Sequence, residues 1–287
     1  MGEGVRAGTP RADVLLAGRG RPLRVAVLVS ATGANLSTLG QLQADRPEVL
    51  EIVLVVSDRK APPAFDIARA LGLPVWPGTF AADCGSWTAC RDDHEREEYR
   101  TRSRLYHDRL TDRMERFEAE TGEIDLVVLA YHRWITGRFL ERYRDRVINQ
   151  HPGDLTVLTD TGRRALIGLD PVGDALRQGR GRTRTSTFLV DESQDGGAVL
   201  AQGPPVTYSG PWPPSAEDVQ QHEAAQKIVS DRPALRATMI ALSAGRFSVD
   251  HTARHADDSP VVGIDGVPTA LGGLILDRNP MTLQENR

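Results

Sequence analysis

Asn149 and His151 stand two apart in the run Ile148-Asn149-Gln150-His151-Pro152, and Asp195 precedes a Gly-Gly pair about 45 positions further on. An amide, an imidazole and a carboxylate gathered at one place make a set for acyl transfer to an amine. The carboxylate orients the imidazole and raises its pKa. The imidazole and the amide donate hydrogen bonds to the oxyanion of a tetrahedral intermediate. The acid accepts, directly or through water, the proton that the attacking amine must lose. Taken singly, each residue has an ordinary structural use: a core histidine bonded to a carbonyl, an asparagine capping a turn, an aspartate opening a glycine turn. The joint occurrence at strand ends is what points to chemistry.

The elements that must position these groups begin in the segment 124–152. The apolar run Leu126-Val127-Val128-Leu129-Ala130 suits a parallel strand covered on both faces. A loop with Tyr131, His132, Arg133 and Trp134 follows, then a helix over 137–144 and a short strand at Val147-Ile148. Side chains alternate along that strand, so Asn149 and His151 point the same way. Pro152 biases His151 towards extended geometry and ends the ladder. Open parallel sheets place ligand chemistry outside the carboxyl ends of their strands.

The rest of the chain supplies the sheet and its cover. A strand is expected over 23–30, then the turn of Ala31, Thr32, Gly33, Ala34 and Asn35, then a helix from Leu36. A Gly-bearing turn between strand and helix exposes N–H groups that can hold an anion. A strand over 51–57, a helix over 65–71 stopped by Gly72, and a strand over 73–76 continue the alternation. The charged stretch 92–120 reads as a solvated helix with a narrow stripe of Tyr99, Leu105, Leu110, Met114 and Phe117, and neither His94 nor His107 needs a role. Downstream come a loop over 153–164, in which Arg163 and Arg164 read as solvated, and a helix over 171–178. A strand over 185–190 leads to an acidic turn over 191–197, a strand over 198–202 and one long helix over 215–244 capped by Ser215. The Gly-, Arg- and Pro-rich residues 1–22 read as a flexible arm. Residues 23–249 form one catalytic α/β domain, and 250–287 an irregular C-terminal extension.

Composition narrows the function class. A chain of 287 residues, 40% hydrophobic, has enough apolar material for a sizeable core, and a net charge of −4 gives no basic surface for nucleic acid. The apolar runs are too short to span a bilayer, and no signal peptide is read. Two cysteines, Cys84 and Cys90, fit neither a disulfide framework nor a zinc set, so no metal is expected. A soluble cytoplasmic protein is expected. An edge strand or the C-terminal pieces leave room for a homodimer.

The order strand–Thr-Gly-Ala-Asn–helix, then DLVVLA, then Asn-x-His-Pro, then TSTFLVDESQDGG resembles the folate-dependent formyltransferase family, nearest to its glycinamide ribonucleotide branch. The resemblance runs from about residue 23 to 268. It implies a formyltransferase-type Rossmann-like fold: a mostly parallel twisted sheet with helices on both faces. It implies 10-formyltetrahydrofolate as formyl donor and Asn149, His151 and Asp195 as catalytic residues. It also implies a folate pocket of Arg133, Trp134, Ile135, Asp191, Glu192, Ser193 and Gln194. The amine acceptor, phosphorylated in the purine branch, would meet Thr32, Gly33, Ala34, Asn35, Tyr131, His132, Gln220 and Glu223. The chain departs from the pattern in four places. Ala34 stands for a serine, and Tyr131–Trp134 replaces Gly-Phe-Met-Arg. The sequence after Pro152 lacks Leu-Pro-Lys-Tyr-Pro-Gly, and Phe188 stands for a histidine. With the amine pocket rewritten, the expected acceptor is a primary amine of a specialised-metabolite or sugar/nucleotide pathway. Glycinamide ribonucleotide of purine synthesis is the alternative, and a non-catalytic folate-binding relative the second.

Overall fold

The computed structural model describes residues 13–16 and 20–277. Its first half runs β1 (Asp13–Val14), β2 (Leu23–Val29), α1 (Ala34–Asp45), β3 (Leu50–Ser57), α2 (Ala64–Ala70), β4 (Val75–Trp76), α3 (Phe80–Cys84), α4 (Asp93–Thr121), β5 (Leu126–Ala130), α5 (Arg138–Arg142) and β6 (Val147–His151). The second half runs α6 (Pro171–Arg177), β7 (Arg182–Thr183), β8 (Ser186–Leu189), β9 (Val199–Gln202), β10 (Val206–Thr207), α7 (Ala216–Gln226), α8 (Arg232–Ser243), β11 (Phe247–Arg254), β12 (Pro260–Ile264), β13 (Val267–Pro268) and β14 (Leu274–Ile275).

Eight strands form the main sheet in the order β14-β9-β8-β6-β5-β2-β3-β4. Its neighbours are parallel except at β6–β8 and β8–β9, so β8 runs against the rest. The two-residue period of the strands sorts their side chains between two apolar layers. Val25, Val27, Val29, Val128 and Ile148 pack with Leu36, Leu39 and Leu42 of α1, Phe65 of α2, and Leu235, Met239 and Leu242 of α8. Ala26, Leu28, Val127, Leu129 and Val147 face the other way, against Leu110 and Met114 of α4 and Phe139 and Tyr143 of α5. Each fully buried Val, Leu or Phe contributes roughly 1.5–3 kcal/mol. That covered sheet is the mostly parallel α/β architecture expected from the sequence, and it fixes the carboxyl ends of β2, β3, β5 and β6 on one edge.

Four expectations are corrected. Part of the predicted arm is built in: Asp13 pairs with Val249 and Val14 with Ser248, the Leu15 N–H donates to the Phe247 carbonyl, and Leu15 and Leu16 are buried. Gly, Arg and Pro dominate the composition of 1–22, but two adjacent leucines suffice to dock four residues; positions 1–12 and 17–19 lie outside the described residues. The boundary drawn at 249/250 falls inside β11. The extension beyond it forms a second sheet, β1-β11-β12-β13, and sends β14 back to the main sheet beside β9, while 278–287 lie outside the described residues. The helix expected over 215–244 is interrupted by a π-helical stretch at Lys227–Asp231, after which Pro233 sits in the first turn of α8. The stripe on α4 is also different: Leu105 is exposed, and the buried line runs Ser103, His107, Leu110, Thr111, Met114 and Glu118. Among the described residues no helix is long and apolar enough to cross a membrane.

Candidate active site

β6 carries Asn149 and His151 on the Val147 side of the sheet. Gln150 points to the opposite side and donates to the Asp231 carbonyl at 2.5 Å. The His151 ring is 4% exposed. Its Nε2 lies 2.8 Å from the Leu166 carbonyl oxygen, which only accepts, so Nε2 carries the proton. Leu166 belongs to the chain between β6 and α6, which crosses directly over the ring. Gly153 permits that crossing, because a β-carbon there would stand 2.8 Å from His151 Nε2 and closer still to the Leu166 carbonyl.

Nδ1 is then the nitrogen left for chemistry, and it faces Asp195 Oδ2 at 3.7 Å. That spacing is too long for a direct hydrogen bond. An oxygen or nitrogen lying off the line between the two groups can reach both. Asp195 sits in the turn between β8 and β9 with φ 52°, a left-handed conformation that a non-glycine residue adopts at a cost, and such outliers cluster at functional sites. The Gly168 N–H donates to its Oδ2 at 3.3 Å. Burial lowers the His151 pKa below the ordinary imidazole value; the Asp195 carboxylate and the Leu166 carbonyl oppose this, and the Arg164 guanidinium adds to it.

The other residues singled out in the sequence are distributed as follows. Gly33 begins α1 at φ 83°, and a β-carbon there would meet Ala64, so the turn requires glycine. Thr32 and Ala34 are exposed beside it and Asn35 is half-buried. His132 is exposed and its N–H donates to Ser30 Oγ at 2.9 Å. Trp134 is half-exposed, and Asp191, Glu192, Ser193 and Gln194 form an exposed turn pinned by the Ser193 N–H donating to Asp191 Oδ1 at 2.8 Å. An indole face and the backbone of an exposed turn are groups of the kind that suit a flat heteroaromatic ring with polar edges.

Several of these side chains have partners within the protein or lie elsewhere on its surface. Arg133 turns away from the acidic turn: its Nε donates to buried Asp58 at 2.7 Å and its guanidinium lies 4.7 Å over the Phe80 ring. The Ile135 side chain is core, in the layer with Phe139, leaving only its backbone for a ligand. Tyr131 is buried too; its hydroxyl and Asp58 Oδ1 have no hydrogen-bond partner among the described residues. Gln220 is exposed, and Glu223 is half-buried near Lys227 and Asp170. The face α7 gives to the sheet carries His222 and Gln226 instead. His222 Nε2 lies 2.8 Å from Thr183 Oγ1, and Gln226 Nε2 donates to the Pro152 carbonyl at 2.7 Å, next to His151. A Gln-x-x-Glu spacing does not say which way a helix is turned. Arg164, expected to be solvated, is buried. Sequence reading missed Gly153, Leu166, Gln226 and Asp257; only the glycine directly after His-Pro carried a signal.

A mostly parallel α/β sheet with His151 and Asp195 facing each other beside it is an arrangement suited to group transfer. The formyl transferase family matches residues 23–207, and the chain belongs to that family. Among its relatives, phosphoribosylglycinamide formyltransferase of Mycobacterium tuberculosis is 30% identical over 224 residues, covering 77% of this chain and 86% of that protein. The trifunctional purine biosynthetic protein adenosine-3 of Drosophila melanogaster is 27% identical over 185 residues, covering 63% of this chain but only 12% of that longer protein. The crystal structure of glycinamide ribonucleotide transformylase 1 from Symbiobacterium toebii shares the fold, with TM-score 0.62 at 20% identity over 86% of this chain and 95% of that one.

Proposed function

We propose that the enzyme moves the formyl group of 10-formyltetrahydrofolate to a primary amine, with Asn149, His151 and Asp195 as the reacting residues and glycinamide ribonucleotide as the first acceptor to test. The observation that carries the reading is the His151 Nδ1–Asp195 Oδ2 approach at 3.7 Å, at the strand end where Asn149 shares a face. Trp134 and the turn 191–194 would hold the donor, which supplies the formyl carbon. The Asn149 amide, and His151 once its Nδ1 also carries a proton, donate to the oxygen that becomes anionic as the amine adds. Preorganised donors of this kind contribute roughly 3–4 kcal/mol each. Asp195, which faces His151, takes the proton the amine loses; collapse of the adduct would then break the bond between the formyl carbon and the donor nitrogen, which receives that proton and departs as tetrahydrofolate.

The acceptor choice is supported by relatives named as phosphoribosylglycinamide formyltransferases and by the Gly33 turn at the start of α1, whose N–H groups suit a phosphate. A second reading, an amine from a specialised-metabolite or sugar pathway, draws on Arg133 being committed to Asp58 and on Gln220 facing solvent. The family pattern puts Arg133 in the folate pocket and Gln220 on the acceptor; Arg133 is instead paired with Asp58, and Gln220 lies on the exposed face of α7. Incubation with 10-formyltetrahydrofolate and a panel of amines that includes glycinamide ribonucleotide, following tetrahydrofolate release, separates the two. His151→Ala and Asp195→Ala should each abolish turnover while donor binding stays measurable. Near-normal turnover in either variant refutes the mechanism.

A further inference from the structure

We propose that Arg164 is a positioning residue for Asp195, itself held by Asp257 at the tip of the β11–β12 hairpin, so that the C-terminal hairpin sets the geometry of the reacting carboxylate. The inference rests on the role given to Asp195 above.

The Arg164 side chain is 5% exposed and spends three donors on two distant segments. Nε donates to Asp257 Oδ2 at 2.7 Å. One terminal nitrogen donates to the Asp195 carbonyl, and the other to the Gly197 carbonyl at 2.8 Å. A rigid planar fork thus holds the two carbonyls that flank Gly196, which fixes the peptide planes on both sides of the turn. Asp195 needs such a hold, since its left-handed φ of 52° persists only where surroundings over-determine it. With the backbone fixed, the side chain is left to face His151 Nδ1 and the Gly168 N–H.

Asp257 is 1% exposed, and its other oxygen accepts from Ser259 N at 3.2 Å and Oγ at 2.7 Å. Burial pushes its pKa up, but the bonds from Ser259 and Arg164 outweigh this and hold it below the ordinary carboxylate value. The acid is therefore ionised beside the guanidinium. Removing either partner leaves a buried charge uncompensated. The exposed pair Arg246–Asp265, in the same C-terminal sheet, touches no site residue and serves as a control.

The test uses Arg164→Lys, which keeps the charge but cannot span both carbonyls, and Asp257→Asn, which keeps the shape. His151 faces Asp195, the Leu166 carbonyl and Arg164, and of these Asp195 and the carbonyl raise its pKa. If the clamp aims Asp195, loosening it lowers the His151 titration midpoint, read by NMR of the donor-free protein, towards that of Asp195→Asn. With 10-formyltetrahydrofolate and the amine found in the panel, kcat should fall roughly 10- to 100-fold at unchanged donor affinity. Asp265→Asn should leave both readouts at the wild-type value. Wild-type midpoint and kcat in both clamp variants, with normal circular dichroism, overturn the proposal. Because the midpoint needs no turnover, it decides the clamp even if Asp195→Ala proves active and the proposed mechanism falls.

Discussion

A single methyl group added at position 153 would collide with both partners of the shortest contact His151 makes. Gly153→Ala must therefore move either the ring or the Leu166 carbonyl that holds it. Steady-state kinetics should show kcat down by roughly 100-fold with unchanged circular dichroism, as small misplacements at reacting groups produce. Full activity would show that the Leu166 bond is dispensable. His107 offers a second test of the residue scale. Burial lowers its pKa to about 4, with the Ser103 carbonyl one turn back opposing the shift, and its ring packs against Phe80, Tyr106 and Tyr131. The folded value lies below the unfolded value of about 6.5, so its neutral form supports the fold fully above that pH. The contribution, about 3 kcal/mol, is lost as pH falls from about 6.5 towards 4. His107→Phe keeps an aromatic ring and removes the titration. Urea denaturation at a series of pH values should show a shallower acid decline in the variant, and equal declines would rule the histidine out as the cause.

Among elements, those legible in the sequence are the ones whose apolar residues keep one phase. Val25, Val27 and Val29 alternate with Ala26 and Leu28, and the strand follows directly. The Ser215 cap with Asp218 closing its box was equally readable. Helix α4 was readable in extent, but its buried face was not, because that line is mixed in character: Ser103, Thr111 and Glu118 lie inside while Leu105 faces water. Glu118 is buried because its carboxylate accepts from the Ile124 N–H at 2.8 Å and from Arg142 and Tyr143. Polarity says nothing of such partners until the fold brings them together. The π stretch before α8 is hidden for a similar reason: it shifts the helix phase without any change in composition. Strand β1 belongs to this class, two residues recognisable only by what they dock against. Leu15→Ala should cost about 2–3 kcal/mol in chemical denaturation, as for a core leucine. A change below half a kilocalorie would mean that β1 adds no support.

Across the whole molecule, the sheet could be anticipated from its apolar strands, whereas the pairing of His151 with Asp195 came from the family resemblance, because β8 runs against β6 and its turn leaves the sheet at the amino end of β6. The closure of the site could not be anticipated. Arg164 sits in a polar run that reads as a surface loop, and its acid partner lies 93 positions away. The surface pairs at α4 and α5, such as Arg138–Glu115 and Arg91–Glu95, are salt-screened and contribute little. Raising salt should therefore shift the denaturation midpoint little in wild type, whereas Asp257→Asn should lower it at every ionic strength. A wild-type midpoint that drops steeply with salt would assign the stability to the surface network instead.

The 93-residue span between Arg164 and Asp257 also orders events during synthesis. A ribosome releases β6 and Asp195 well before it releases the hairpin tip. Until that tip has emerged, the nascent polypeptide holds a sheet without a fixed carboxylate. Contacts so remote along the chain form late, so catalytic competence should arrive as the final act of folding.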